Sequence, residues 1–134
     1  MYTKIRIDFM FQDFDKTPQE VSKAIGINSD KAHMKGETLE RNPKVKWKNN
    51  TWLISSKVNE KEPFETHLDD IIKKIDSRFE NFISISKTCN TYLNCVISMY
   101  DGDRPFINFN RKQLKILNEL NAEIEFDIYN FQSK

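Results

Sequence analysis

A chain of 134 residues, 38% hydrophobic and 31% charged, fits a single domain that buries about two thirds of its unfolded surface without help from disulfides or a metal. Its 21 basic and 20 acidic residues nearly cancel, which removes a general electrostatic case for nucleic acid or an anionic membrane and leaves only local patches. No apolar run approaches the roughly 20 residues that cross a bilayer. The first residues pass straight into an alternating pattern rather than a signal segment, so a cytoplasmic location without membrane contact is expected.

Ile5, Ile7, Phe9 and Phe11 alternate with Lys4, Arg6, Asp8 and Met10, which predicts a half-buried strand. Thr17-Pro18-Gln19-Glu20 then combines an N-cap, a proline at the first helical position and the acid of a capping box. The short helix buries Val21, Ala24 and Ile25 and stops at Gly26, which tolerates the left-handed conformation. Residues 27–42 are polar and irregular and predict an extended loop with at most a weak strand. Lys44-Val45-Lys46-Trp47-Lys48 and Thr51-Trp52-Leu53-Ile54-Ser55 flank Asn49-Asn50, and together they predict a hairpin.

Beyond a charged loop at 57–63, Phe64, Leu68, Ile71, Ile72, Ile75 and Phe79 follow helical spacing for about four turns, with Phe82, Ile83 and Ile85 extending it or forming a second short helix. Residues 92–100 predict a strand with Leu93, Cys95, Ile97 and Met99 inward. Asp101-Gly102-Asp103 predicts a turn, and residues 106–109 a short strand. Asn110 and Gln113 supply a second capping box, ahead of a stripe of Leu114, Leu117 and Leu120 with Ile116 beside it. The closing strand alternates Ala122, Ile124, Phe126 and Ile128 on one face with Glu123, Glu125, Asp127 and Tyr129 on the other, a pattern of one buried and one polar face.

The expected class is α+β: a mostly antiparallel sheet with helices on one face, ferredoxin-like β-α-β-β-α-β in residues 52–131, plus an N-terminal strand and helix. Asp13-Phe14-Asp15 ahead of Thr17-Pro18, Ile25-Gly26-Ile27, Lys35-Gly36, the isolated Trp52, the long amphipathic helix, and Leu120-Asn121-Ala122 leading to Phe126-Asp127-Ile128-Tyr129 also occur in a recognisable order. That ordered set resembles the bacterial domain of unknown function 4279 family over nearly the whole chain. The resemblance brings no activity with it. It suggests an analogy with the small immunity proteins that neutralise toxins.

The chemistry on offer is limited. Cys89 and Cys95 form no CxxC motif and are expected as ordinary thiols. His67 and Asp70 have helical i, i+3 spacing, but no third ligand accompanies them, and a solvated helix start is the simpler reading. Glu123, Glu125 and Asp127 could be paired carboxylates, roughly 7 Å apart along a strand, a protein-binding face, or a solvated face. Lys44, Lys46 and Lys48 with Trp47 could meet phosphate or an acidic partner, or could guard an edge strand with Trp47 in the core. Trp52 fits the core better than a ligand platform. Walker, GxGxxG, GxSxG and HExxH motifs do not occur in the sequence.

The resulting expectation is a non-enzymatic protein-binding module of immunity type, with a cognate protein such as a toxin as partner and neither cofactor nor metal. Its candidate binding residues are Lys44, Lys46, Trp47, Lys48, Trp52, Glu123, Glu125, Asp127 and Tyr129. A small-molecule-sensing domain is the alternative, and nucleic-acid binding through the lysine strand is a weaker one.

Overall fold

The first strand is the centre of the fold. In a computed structural model that describes residues 2–132, β1 (Lys4–Gln12) pairs antiparallel with β3 (Thr51–Ser55) on one side and with β4 (Asn90–Tyr100) on the other. β2 (Lys31–His33) adds to β3, and β5 (Glu123–Phe131) adds parallel to β4, giving the order β2-β3-β1-β4-β5. The α+β class and the mostly antiparallel sheet are those expected.

The topology inside that class differs from the expectation. β1 is no addition to a ferredoxin-like unit, because Ile7, Phe9 and Phe11 are wholly buried at the middle of the sheet. Residues 106–109 form no strand: Phe106 is 77% exposed, and Phe109 turns back to meet the Phe64 ring edge-on at 5.5 Å. The physical reason is the parallel pairing of β4 and β5. The chain must return along the helix side before β5 can start, so 106–109 becomes part of a crossover rather than the second arm of a hairpin.

Four helices cover one face of the sheet: α1 (Pro18–Ile25), α2 (Phe64–Ser77), α3 (Phe79–Ser86) and α4 (Arg111–Glu119). Both capping boxes form as the sequence predicts, Thr17 with Glu20 and Asn110 with Gln113. Gly26 takes φ 86° and ends α1. The long apolar periodicity divides at Arg78, whose φ of −136° breaks α2 from α3. Phe82 of α3 then packs against Phe9, Phe11 and Trp52, with centroid separations of 5.5, 5.9 and 6.1 Å. Trp52 is fully buried, and its indole N–H donates to Ser22 Oγ at 2.9 Å, which pins β3 to α1.

In α4 the buried stripe is Gln113, Ile116 and Leu117, followed by Leu120, whereas Leu114 faces outward. Gln113 takes the inner position because its amide serves twice. It caps Asn110, and its Nε2 donates to Asp69 Oδ1 of α2 at 3.1 Å.

The hairpin expected around Asn49-Asn50 does not form. Residues 44–48 pair backward with residues 37–39: Trp47 N donates to the Glu37 carbonyl at 2.8 Å and Leu39 N to the Val45 carbonyl at 2.9 Å. Asn49 and Asn50 are instead anchors. Asn50 Nδ2 donates to the Phe14 carbonyl at 2.6 Å and Asn49 Nδ2 to Asp13 Oδ1 at 2.8 Å.

Candidate interaction surface

β5 grows out of a tight turn. α4 ends at Leu120, Asn121 takes φ 53°, and the Ala122 N–H donates back to the Leu117 carbonyl at 3.0 Å. Asparagine is the residue after glycine best suited to that left-handed position. The register with β4 then assigns the two faces. Ile124, Phe126 and Ile128 stand beside Leu93, Cys95 and Ile97 on the helix side. Glu123, Glu125, Asp127 and Tyr129 stand beside Tyr92, Asn94, Val96 and Ser98 on the side without helices.

β5 is the last strand in the sheet order, and beyond Ile124 its apolar face is exposed. Phe126 is 44% exposed and Ile128 55% exposed, where the alternating pattern predicts both in the core. The cause is the length of α4. Nine residues of helix extend only about 14 Å, against about 30 Å for a nine-residue strand. Only Ile124, at the start of β5, is partly buried against the core cluster to which Ile116, Leu117 and Leu120 belong. Beyond it, Ile128 joins Ile97, Met99, Pro105 and Ile107 along an open groove of about 400 Å³.

The helix-free face is polar and partly organised. Asp8 on β1 is only 4% exposed. It is held by Arg6 Nε at 3.1 Å and by Ser55 Oγ at 2.7 Å. One strand over, Asn94 Nδ2 donates to Asp127 Oδ2 at 3.1 Å. Glu123 and Glu125 are exposed. Burial first, and then Glu123 and Glu125, push the Tyr92 hydroxyl above its ordinary pKa. At the far end Tyr100, Phe131 and Tyr129 form a near-parallel aromatic ladder, with centroids 5.0 and 6.3 Å apart.

Lys44, Lys46, Trp47 and Lys48 lie elsewhere, on the arm that follows β2 beyond the opposite edge of the sheet. Trp47 is not in the core. It is 37% exposed and stacks on His33, ring centroids 3.6 Å apart and 12° from parallel. Burial under that stack lowers the His33 pKa. Residues 31–48 carry six basic side chains (Lys31, Lys35, Arg41, Lys44, Lys46, Lys48) against two acids (Glu37, Glu40), a local excess of four positive charges.

The expected binding residues thus separate into three places. Glu123, Glu125, Asp127 and Tyr129 share one strand face, the lysines and Trp47 share a distant arm, and Trp52 is core. The residues that sequence reasoning missed are Phe126 and Ile128 on β5 and Ile107 beside it, all exposed apolar side chains. The short α4 between two long strands is the signal that could have found them.

His67 also differs from its ligand reading. It is buried, with Nδ1 2.7 Å from Ser56 Oγ, which in turn accepts the Ile7 N–H at 3.1 Å. Asp70 accepts the Lys57 N–H at 2.7 Å and pairs with Lys74 at 3.0 Å. Both thiols are raised by burial, Cys89 to about 11 and Cys95 to about 12, which keeps them protonated and unreactive at neutral pH.

No helix among the described residues is long and apolar enough to cross a membrane. No curated protein and no solved structure matches the chain. Residues 3–131 match the model of one family, described as Domain of unknown function (DUF4279). With that match over nearly its whole length, the chain belongs to the DUF4279 family.

Proposed function

We propose that this domain is a non-enzymatic protein-binding module and that β5 is its docking element. The observation that carries the reading is an edge strand whose Phe126, Ile128, Tyr129 and Phe131 are all exposed, beside an open and largely apolar groove. Exposed apolar patches of this kind mark sites of association. An unpaired strand edge adds a row of free backbone donors and acceptors. The acids on the other face give the site a sign, which favours one class of partner and repels others. In the finer form of this proposal the domain works in the cytoplasm as an immunity protein, and β5 covers part of a toxin.

The test is a pull-down from the native host at moderate salt, with wild type and a Glu125→Lys, Ile128→Ser variant as baits. One protein retained in stoichiometric amount by the wild type and lost from the variant is the expected result. Equal retention by both baits excludes β5 as the docking element. If the retained protein is toxic when expressed alone, growth restored by co-expressing this domain supports the immunity form, and persistent toxicity counts against it.

A second reading has its own support. The basic arm with its stacked His33–Trp47 pair has the composition of a single-strand nucleic-acid contact. Retention of single-stranded oligonucleotides that is lost on Lys46→Glu and falls steeply with salt would favour it.

A further inference from the structure

We propose that the occupant of β5 is an extended segment of the partner, added as a sixth strand, in which lysine or arginine alternates with apolar residues. This rests on the docking reading above and specifies its chemistry.

The strand itself sets the requirement. β5 is nine residues long and pairs with β4 without a bulge from Glu123 to Phe131. It contains no proline and no lysine, two of the usual guards of a free edge. Its only charges are Glu123, Glu125 and Asp127, all on the helix-free face. Its helix-side face offers Ile124, Phe126 and Ile128 in the same two-residue period. A strand added at about 4.8 Å places its own alternating side chains directly beside these two rows. Cations therefore match Glu123, Glu125 and Asp127 on one face, ahead of Tyr129 and Phe131, and apolar groups match the other. A cationic segment of irregular order satisfies the charge but puts lysines against Phe126 and Ile128. An apolar strand satisfies the groove but leaves the acids unmatched.

A second β5 supplies no cation: paired in parallel register its acids stand opposite acids, and paired antiparallel Glu123 and Glu125 stand opposite Phe131 and Tyr129, so the three carboxylates stay unmatched either way. The arm at 44–48 of another copy has the required alternation. That contact joins different surfaces of successive copies, however, and such a head-to-tail contact builds a ring or a filament, which appears as self-association of the protein without peptide. A foreign strand terminates the sheet after one addition.

The probe is a synthetic peptide as long as β5, nine residues, of strictly alternating lysine and valine, followed by fluorescence anisotropy and by amide exchange of the protein. A block-ordered peptide of the same composition is the control. The expected result is binding of the alternating peptide about tenfold or more tightly than the block peptide, with new protection in β5. About tenfold weakening should follow Glu125→Lys with Asp127→Lys, two exposed changes whose folding is checked by circular dichroism. Equal binding of the two peptides, protection outside β5, or concentration-dependent self-association of the protein without peptide overturns the proposal. The control needs no variant, so a misfolded mutant does not decide the matter. A cellular partner lost on Glu125→Lys, with no preference for the alternating peptide, overturns the strand chemistry and leaves β5 docking intact. Peptide addition to β5 with an unaffected cellular partner overturns the docking reading instead.

Discussion

Ser56 and His67 show how one hydroxyl joins three elements. Ser56 N donates to the Ile7 carbonyl at 2.8 Å while Ser56 Oγ accepts the Ile7 N–H, so the side chain continues the β1–β3 ladder just past the end of β3. The same oxygen holds His67 of α2. Ser56→Ala leaves a buried N–H and a buried ring nitrogen unpaired, and we expect it to cost about 2–4 kcal/mol in urea denaturation. Burial is the main cause of the lowered His67 pKa, opposed by the Asn59 carbonyl, Asp70 and Glu62. The folded chain thus refuses a proton that the unfolded chain accepts below about pH 6.5. The associated stability is full above that value and is lost as pH falls from 6.5 toward the depressed folded value. Thermal melts at about pH 7.5 and about pH 5.5 should show this loss, and His67→Gln should reduce it without removing it, since His33 shifts in the same direction. Asp70 works in a lower window. Burial raises its pKa, but the Lys57 N–H and Lys74 outweigh burial and leave it below 3.8, so its contribution is lost only as pH falls through that range. The i, i+3 spacing of His67 and Asp70 was visible in the sequence. That His67 points inward and Asp70 toward Lys57 was not, because the deciding contacts lie about ten residues or more away outside α2; only the Asp70–Lys74 pair is local.

At the scale of elements, what is local was legible and what is long-range was not. The two capping boxes and the Gly26 stop need only four or five consecutive residues, and each forms as read. β5 shows the limit. Its alternation correctly gives a strand with two unlike faces, but alternation cannot say whether a helix covers the apolar one. The register supplies a direct test, because Ile97 and Ile128 are cross-strand partners with opposite fates. Ile97 is 1% exposed, and Ile97→Ala should cost about 2–5 kcal/mol through the cavity it leaves. Ile128→Thr, on the open side, should change stability by less than about 1 kcal/mol. Comparable losses at both positions in chemical denaturation would mean that the apolar face of β5 is packed along its length. The lysine arm failed for a related reason. Residues 44–48 and 51–55 both alternate, and the sequence cannot tell which neighbour a strand will choose. The choice is set by β1, which buries Trp52 and Ile54 against the helices and leaves 44–48 to pair with 37–39.

Over the whole molecule, the net charge of +1 conceals a separation. The arm at 31–48 carries an excess of four positive charges, while residues 116–131 hold Glu119, Glu123, Glu125 and Asp127 and no base. The sheet order places the two at opposite edges, four strand spacings or about 19 Å apart. That distance exceeds the Debye length of about 8 Å at physiological salt, so each edge presents its own field to an approaching molecule. A protein this close to neutral should then be retained by both cation and anion exchangers at about 20 mM salt and released from both by about 0.3 M. Net charge and local charge are separable by a matched pair of variants. Lys46→Glu with Lys48→Glu, and Lys73→Glu with Lys87→Glu, change the same number of exposed lysines and give the same total. If the arm acts as a patch, the first pair loses cation-exchange retention and the second keeps it. If only the total matters, the two elute together. Separate elution would mean that the arm presents its charge locally, apart from the total and apart from the acidic edge at β5.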